Sequence, residues 1–523
     1  MTCRVRLEWG GRVWDLDGEL VEIADDASIL EQSLTVPSRS VTVELPLGDV
    51  VKHARTHHPR TAVADVYHNG RLVASEAVES ITPGRAGELS RIVVGQQVDP
   101  DASTIPATYD VETRQIDIEG TERARQRAEN QRQRQVEFYQ QQNIPVPWDL
   151  IVGGDWDGDS ITVYSEETFG LAYPRVYGRP GQDGTAGSKA LVVDSTNRIL
   201  RVAGHRCAPG TVTIVGPKQS NLDVTAEEAA TVYNTTDSAG RPVADIDVSG
   251  LSTVAHNWTG SGNLAAQDKD WYVKWNGTAR GLSSDATSVI TDLLRHLVGV
   301  PIDWPSIESM RAYLQGYTLD GVIDATTGAE AVLMQQILPL LPVRLVRGVT
   351  GLGMVPVRWT ATARDARCAL VAGDQCWPVS RVRYASESGL RVINQWSVRW
   401  AMSRRSDGPR RTTSVGPSRS GEASASLTIH GLRAETLETA WVYTAATAGR
   451  IALDRIRETA TDRQIVDVQV SAATYGIGGV RELTVGDVVT YTDPAESLSA
   501  AVALVSSVSR SGSEVDGVGL VLL

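Results

Sequence analysis

The chain has 523 residues, 41% of them apolar and 22% charged, with a formal net charge of −13. That length accommodates about three or four domains at ~100–200 residues each, and the composition is globular, not disordered. The acidic balance speaks against a general nucleic-acid binder, which would carry a basic stripe, and no apolar run approaches the ~20 residues of a membrane span.

The start, MTCRVRLEWGG, lacks the apolar segment and cleavage site of a secretory signal, so synthesis in a cytosol is expected. RVRLEWGGRVWDL alternates apolar and polar residues around Gly10-Gly11, which predicts a hairpin; SVTVELPL and TAVADVYHNGRLVASEAV continue the pattern, the latter with an Asn69-Gly70 turn. LGDVVKHARTHHP predicts a short helix ending near Pro59. Residues 121–142, rich in Gln and Arg, predict a helix without an apolar stripe, either a solvated surface or a contact arm, stopped by Pro145 and Pro147. Residues 150–280 predict short strands, among them SITVYSE, GTVTIVG and DWYVKWNG.

DATSVITDLLRHLVGV carries Ile290, Leu293, Leu294, Leu297 and Val298 at helical spacing; a second helix is expected after Asp303 or Ser306, with Pro305 in its first turn, and a third in TTGAEAVLMQQILPLL. Strands return in PVRLVRGVTG, VPVRWTATA and LRVINQWSVRWAMS. The polar RRSDGPRRTTSVGPSRSGEAS predicts a long loop, and a helix is expected over 434–459, with Leu437, Trp441, Ala445, Ala448, Ala452 and Ile456 on one face. RQIVDVQVSA, LTVGDVVTYTDP, AVALVSSVSR and VGLVLL close the chain as strands.

Chemistry is sparse. Asp155, Asp157, Asp159 and Glu166 in DWDGDSITVYSE have the carboxylate spacing of a calcium-binding EF-hand loop. Ser160 stands where that loop needs glycine, however, and the flanks read as strands, so a turn leading into a strand is the simpler reading. His53 and His57 are four apart, but Ala54 occupies the place of the zinc-protease glutamate, leaving a solvated helix face that ends at His58. His205 and Cys207 form a weak nucleophile pair in a loop, and a structural cysteine is commoner. Cys368 and Cys376 could meet across a hairpin, though two free thiols fit a reducing compartment better. Neither a G-x-S-x-G elbow nor a phosphate-binding loop is present, no cofactor is expected, and the chain reads as a non-enzyme.

From about Thr287 onward an ordered series of segments resembles the baseplate hub, or tail-tip hub, proteins of long-tailed bacteriophages and related phage-derived particles. VITDLLRHLVGVPIDWPSIESMRAYLQGYTLDGVI is similar to the family's helical segment. VINQWSVRW, LTIHGLRAETLETAWVYTAATAGRIALDRI and LTVGDVVTYTDP resemble its later strands and long helix; AYPRVYGRPG at 172–181 is a further, less distinctive match. The resemblance covers roughly the last 240 residues; the Gln/Arg segment and the Trp-rich region around 250–280 match nothing in it.

The resemblance implies an α+β, mainly β chain with two tail-tube-like β-barrel domains and small helical and β inserts. The corresponding layout is an N-terminal β domain over 1–105, a helical arm over 106–148, a β-rich insert and barrel completion over 149–284, a helical domain over 285–342, and a C-terminal tube-like barrel over 343–523 with the 434–459 helix. It also implies a homotrimeric ring at the tail tip of a virion assembled in the bacterial cytoplasm. Such a ring joins the tail tube and distal tail protein to a central fibre or spike, holds the tape measure protein, and gates double-stranded DNA through its lumen without binding it stably. A cell-wall hydrolase and a calcium-dependent host-binding protein are the alternatives.

Overall fold

The computed structural model describes residues 2–25, 39–46, 50, 62–68, 71–82, 90–95, 104–105, 113–117, 160–164, 172–194, 198–216, 227–237, 240–251, 271–298, 300–325, 327–348, 351–388, 391–470, 483–511 and 514–523. The chain is mainly β, with two closed six-stranded barrels and a few short helices.

The first barrel comprises β1 (Thr2–Trp9), β2 (Arg12–Asp25), β3 (Arg39–Leu45), β4 (Val63–His68), β5 (Arg71–Thr82) and β6 (Ser90–Gly95), ordered β1-β4-β5-β6-β3-β2 and closed by β1 on β2. The two-residue side-chain period decides which face is buried: Cys3, Val5, Leu7 and Trp9 point inward, while Arg4, Arg6 and Glu8 are exposed. Gly10 and Gly11 turn the hairpin at φ 55° and 75°, a conformation that costs glycine little. In β2, a Cβ on Gly18 would sit 2.1 Å from Leu45 Cδ2 and 2.5 Å from the Glu44 carbonyl oxygen. Gly18→Val is therefore expected to destabilise this barrel by about 1–3 kcal/mol, read as a lowered urea midpoint.

Three short strands follow: β7 (Thr104–Ile105), β8 (Thr113–Asp117) and β9 (Ser160–Tyr164), with β8 paired to β9. After β10 (Arg175–Tyr177) comes the second barrel, β11 (Ser188–Asp194), β12 (Ile199–Ala203), β13 (Gly210–Val215), β14 (Glu227–Thr236), β15 (Pro242–Asp247) and β16 (Trp271–Lys274), closed in the order β11-β12-β15-β14-β13-β16. Leu200, Val202, Val212, Ile214, Val232, Ile246, Val273, Trp271 and Trp275 form its core, and Trp275 Nε1 donates to Ser188 Oγ at 2.9 Å. The buried Arg201 lies directly across from Asp245 and donates to it from Nε at 3.0 Å, a cross-strand pair that fits one register.

Helix α1 (Ala286–Leu294) starts where Asp285 accepts from the Ser288 amide at 2.9 Å, and it buries Val289, Ile290, Leu293 and Leu294. The helical stripe expected to run on to Val298 stops short. The chain closes tighter turns at His296 and Leu297, keeping Leu297 buried and turning Val298 outward. In α2 (Trp304–Ser309), Asp303 caps the Ser306 amide, with Pro305 in the tolerated first turn. Next come β17 (Gly321–Ile323), antiparallel to β10, and β18 (Thr327–Gly328), paired with β7. The third helical segment changes pitch along its length: Ala329–Ala331 is α, Val332–Ile337 π, and Leu338–Leu340 3-10.

Then come β19 (Val343–Gly348), β20 (Gly351–Pro356), β21 (Cys368–Val371), β22 (Cys376–Pro378) and β23 (Arg383–Tyr384). Two expectations fail in the segment that follows. The polar stretch after Ser403 is ordered: β24 (Gln395–Ser403) and β25 (Gly408–Val415) form a hairpin, and Ser420 caps α3 (Gly421–His430). The helix expected over 434–459 begins only at Ala445. Ala434–Glu438 is instead β26, parallel to β24, and α4 spans Ala445–Thr459 behind its Thr444 cap. The β24 backbone competes for this segment: the Thr439 amide donates to the Arg399 carbonyl and the Ala401 amide to Val442, and the β-branched Thr439, Val442 and Thr444 suit extended chain.

The last strands are β27 (Gln464–Val470), β28 (Val488–Asp493), β29 (Leu498–Ser511) and β30 (Glu514–Leu522). They order as β21-β28-β29-β30-β27-β22, with β23 also on β27. Because β21 and β22, the two ends of that order, are joined only through residues 372–375, the sheet curls back on itself around Leu370, Val468, Val489, Tyr491, Val505 and Leu520. Its β29 pairs with β2 at Ile23–Arg510, so the first barrel and the C-terminal unit share one thirteen-stranded sheet.

Candidate functional site

The largest core cluster joins the helical residues to β24, β25 and α4, and Tyr177 reaches into it from β10. Tyr177 also carries the polar side of this junction. Its hydroxyl donates to Asp292 Oδ2 at 2.6 Å, while Arg175 grips the same carboxylate through Nε at 3.0 Å and Nη2 at 2.7 Å. Burial alone would raise the Asp292 pKa, but the Arg175 guanidinium and the Tyr177 hydroxyl outweigh it and hold the carboxyl below its usual range. Nearby, Asp320 accepts from the Arg179 amide at 2.9 Å and Gln182 Nε2 at 3.0 Å, and burial raises its pKa against those bonds. Every acceptor in this wiring is turned toward the chain itself, which makes it a fastening between the β10 segment and α1.

The His205–Cys207 pair is not a catalytic dyad. His205 Nε2 accepts from the Val176 amide at 3.0 Å, and Nδ1 faces the Arg206 carbonyl at 2.9 Å, so both ring nitrogens are committed and the proton sits on Nδ1. Cys207 Sγ lies 4.0 Å from that nitrogen, and burial pushes its thiol up to about 12, far from a thiolate at neutral pH. Cys368 and Cys376 begin β21 and β22 and are free, as are Cys3 and Cys207. Among the described residues no group of three His, Cys, Asp or Glu side chains could hold a metal ion. Asp155, Asp157, Asp159 and Glu166 lie outside the described residues, as do His53, His57, His58 and the Gln/Arg segment 121–142.

Among the described residues, two groups of large apolar side chains are exposed. Trp377 on β22, Val379 just after that strand and Tyr384 on β23 are exposed, and both strands pair with β27 at the margin of the C-terminal sheet; Val379 is 70% accessible. A second group, Leu427, Ile429 and Leu432, is exposed at the end of α3, with Ile429 at 76%. Grouped exposed apolar side chains beside sheet margins are the surfaces that proteins use to meet one another. Sequence reasoning missed both groups, since alternation marks a residue as outward-facing without saying whether a partner covers it.

No family model and no curated protein matches the chain. Among solved structures it is similar to the 43 kDa tail protein of prophage MuSo2 from Shewanella oneidensis, at 11% identity over 99% of this chain and 98% of that one, with a TM-score of 0.33. It is also similar to the tail protein from Neisseria meningitidis MC58, at 9% identity over 100% and 97% with a TM-score of 0.38. A chain from the virion of a native gene transfer agent particle is similar at 14% identity over 68% and 85%, with a TM-score of 0.37.

Proposed function

We propose that this chain is a structural protein of the tail of a phage or phage-derived particle, without chemistry of its own, and that it serves at the tail tip as the hub. The observation that carries the reading is the thirteen-stranded sheet joining a closed six-stranded barrel to a second curled β unit in one chain. In the hub family that the sequence resembles, two tube-like β units per subunit and three subunits per ring reproduce the sixfold tail tube. The first barrel and the C-terminal sheet are the two units in this reading, and the second barrel and the helical segments are inserts between them. The net charge of −13 fits a lumen past which DNA slides, because phosphate contacts with basic side chains are what make DNA adhere.

The distal tail protein, tape measure protein and central fibre or spike are the partners this role requires. Light scattering on the purified chain is expected to give three times the 56.3 kDa of one subunit, and negative-stain images a ring that caps tail tubes. A stable monomer that never associates with tubes would overturn the proposal. Val379→Asp is expected to leave stability within about 0.5 kcal/mol, because the side chain is 70% exposed, while reducing the ring to monomers. An intact ring in that variant removes this margin from the interface.

A further inference from the structure

A cavity of about 290 Å³ opens where the end of α4 and the start of β24 meet the C-terminal sheet. Its walls include the side chains of Trp359, Ile393, Trp396 and Val521. Trp396 is already fixed, its Nε1 donating to Thr459 Oγ1 at 2.9 Å, so its ring offers an apolar face of settled orientation. The volume sits at the lower edge of the ~300–1,000 Å³ usual for ligand pockets and suits one large side chain.

The charges around the cavity are unevenly matched. Both Glu458 oxygens are occupied, one by Arg344 Nη2 at 2.9 Å and the other by Arg455 Nη1 at 2.6 Å. Asp462 accepts from the Ser386 amide at 3.0 Å and its hydroxyl at 2.6 Å, and Glu435 lies 3.7 Å from Arg391. Arg463 is the exception. It is only 8% exposed, its guanidinium lies 5.0 Å from the centre of the Trp359 ring, and Nη2 donates to the Arg457 carbonyl at 2.7 Å. Its Nε is buried without an acceptor, and among the described residues no carboxylate pairs with it. Burial lowers its pKa, with only Glu422 and Glu458 opposing through space. A buried cation with no carboxylate bonded to it is one that an incoming anion would stabilise. Glu435, on the cavity wall, belongs to β26, which among the described residues pairs with β24 alone and so leaves an edge for another strand.

We propose that this cavity is a docking site for an extended peptide segment of a partner protein, which places one aromatic or large aliphatic side chain between Trp359 and Trp396 and the carboxylate of an adjacent acidic residue on Arg463. The segment adds to the β26 edge, so main-chain bonds supply affinity while the cavity and the arginine supply selectivity. The proposal does not depend on the place of the chain in a particle.

Calorimetric titration of the full chain with Ac-Val-Trp-Asp-Val-NH2, its Asp→Asn counterpart and indole-3-propionate tests it. The acidic peptide is expected to bind with a Kd below about 1 mM and the Asn peptide about tenfold more weakly, the loss anticipated for one charge-assisted contact. Arg463→Gln is expected to bring the two peptides level, and Arg463→Lys to retain part of the preference. Equal binding of both peptides to the unmodified chain, or no binding of either, overturns the proposal. Indole-3-propionate binding as tightly as the acidic peptide also overturns it, by making the cavity a small-molecule site. If Arg463→Gln does not fold, the comparison of the two peptides on the unmodified chain still decides.

Discussion

Asp292→Ala is expected to lower the unfolding free energy by about 3 kcal/mol, the lower end of the range for breaking a buried ion pair. The lower end applies because the Arg175 and Asp292 side chains remain 21% and 22% exposed. The substitution removes the carboxylate that Arg175 grips from two nitrogens and the acceptor of the Tyr177 hydroxyl, leaving a half-buried cation and a buried phenol without their partner. Asp292→Asn keeps an acceptor for Tyr177 and is expected to cost less. The pH dependence has a definite sign. Since the folded carboxyl titrates below its unfolded value of about 3.9, its contribution is fully present above that value and is lost as pH falls through the folded one. Urea denaturation at a series of pH values checks this: the gap between the unmodified chain and Asp292→Asn should be widest near neutrality and shrink below about pH 4. A gap that stays constant would show that Asp292 contributes through packing alone.

Trp441→Ala is expected to cost about 3–5 kcal/mol, the range for deleting a buried aromatic side chain. Trp441 is almost wholly buried in the largest core cluster, its ring lies 5.4 Å from that of Tyr177, and its Nε1 donates to Gln336 Oε1 at 3.0 Å. Gly321 is packed so tightly against the indole that a Cβ there would lie 2.3 Å from Cε3, and the Trp441 carbonyl accepts from the Asp320 amide at 2.9 Å. The truncation therefore opens a void at the contact between the β24 sheet and the β10–β17 pair, and it also strips the Gln336 amide of its donor. Trp441→Phe keeps most of the volume and is expected to cost less than Trp441→Ala. Thermal unfolding with limited proteolysis is the measurement. For Trp441→Ala, early cleavage between Asp320 and Asp324 would place the damage at this seam, and an unchanged midpoint would contradict the packing argument.

The parts of the fold that were legible are those governed by near neighbours in sequence. The β1–β2 hairpin was readable because Val5, Leu7 and Trp9 alternate and two glycines follow. Helix α1 was readable from the spacing of Ile290, Leu293 and Leu294. Local signals misled where a distant backbone competed: Leu437 and Trp441 keep helical spacing with Ala445, yet they precede the helix because β24 supplies the hydrogen bonds of that segment. The polar residues of β25 concealed a strand because its outer face needs no apolar side chains. The cavity was illegible for a related reason: Trp359, Trp396 and Arg463 come from separate segments, and no spacing rule links them.

By itself, the sequence determined the mainly β character, the turn of the first hairpin, the start of the second short helix and the acidic balance of charge. Each of these depends on side-chain geometry and charge within a few residues, so each is written locally. Tertiary structure alone decided which strands close which barrel, that β2 meets β29, that His205 holds a backbone amide instead of activating Cys207, and that Arg463 lines a cavity with, among the described residues, no carboxylate bonded to it. Those outcomes depend on which buried groups find partners, and partners are chosen by packing across the whole chain.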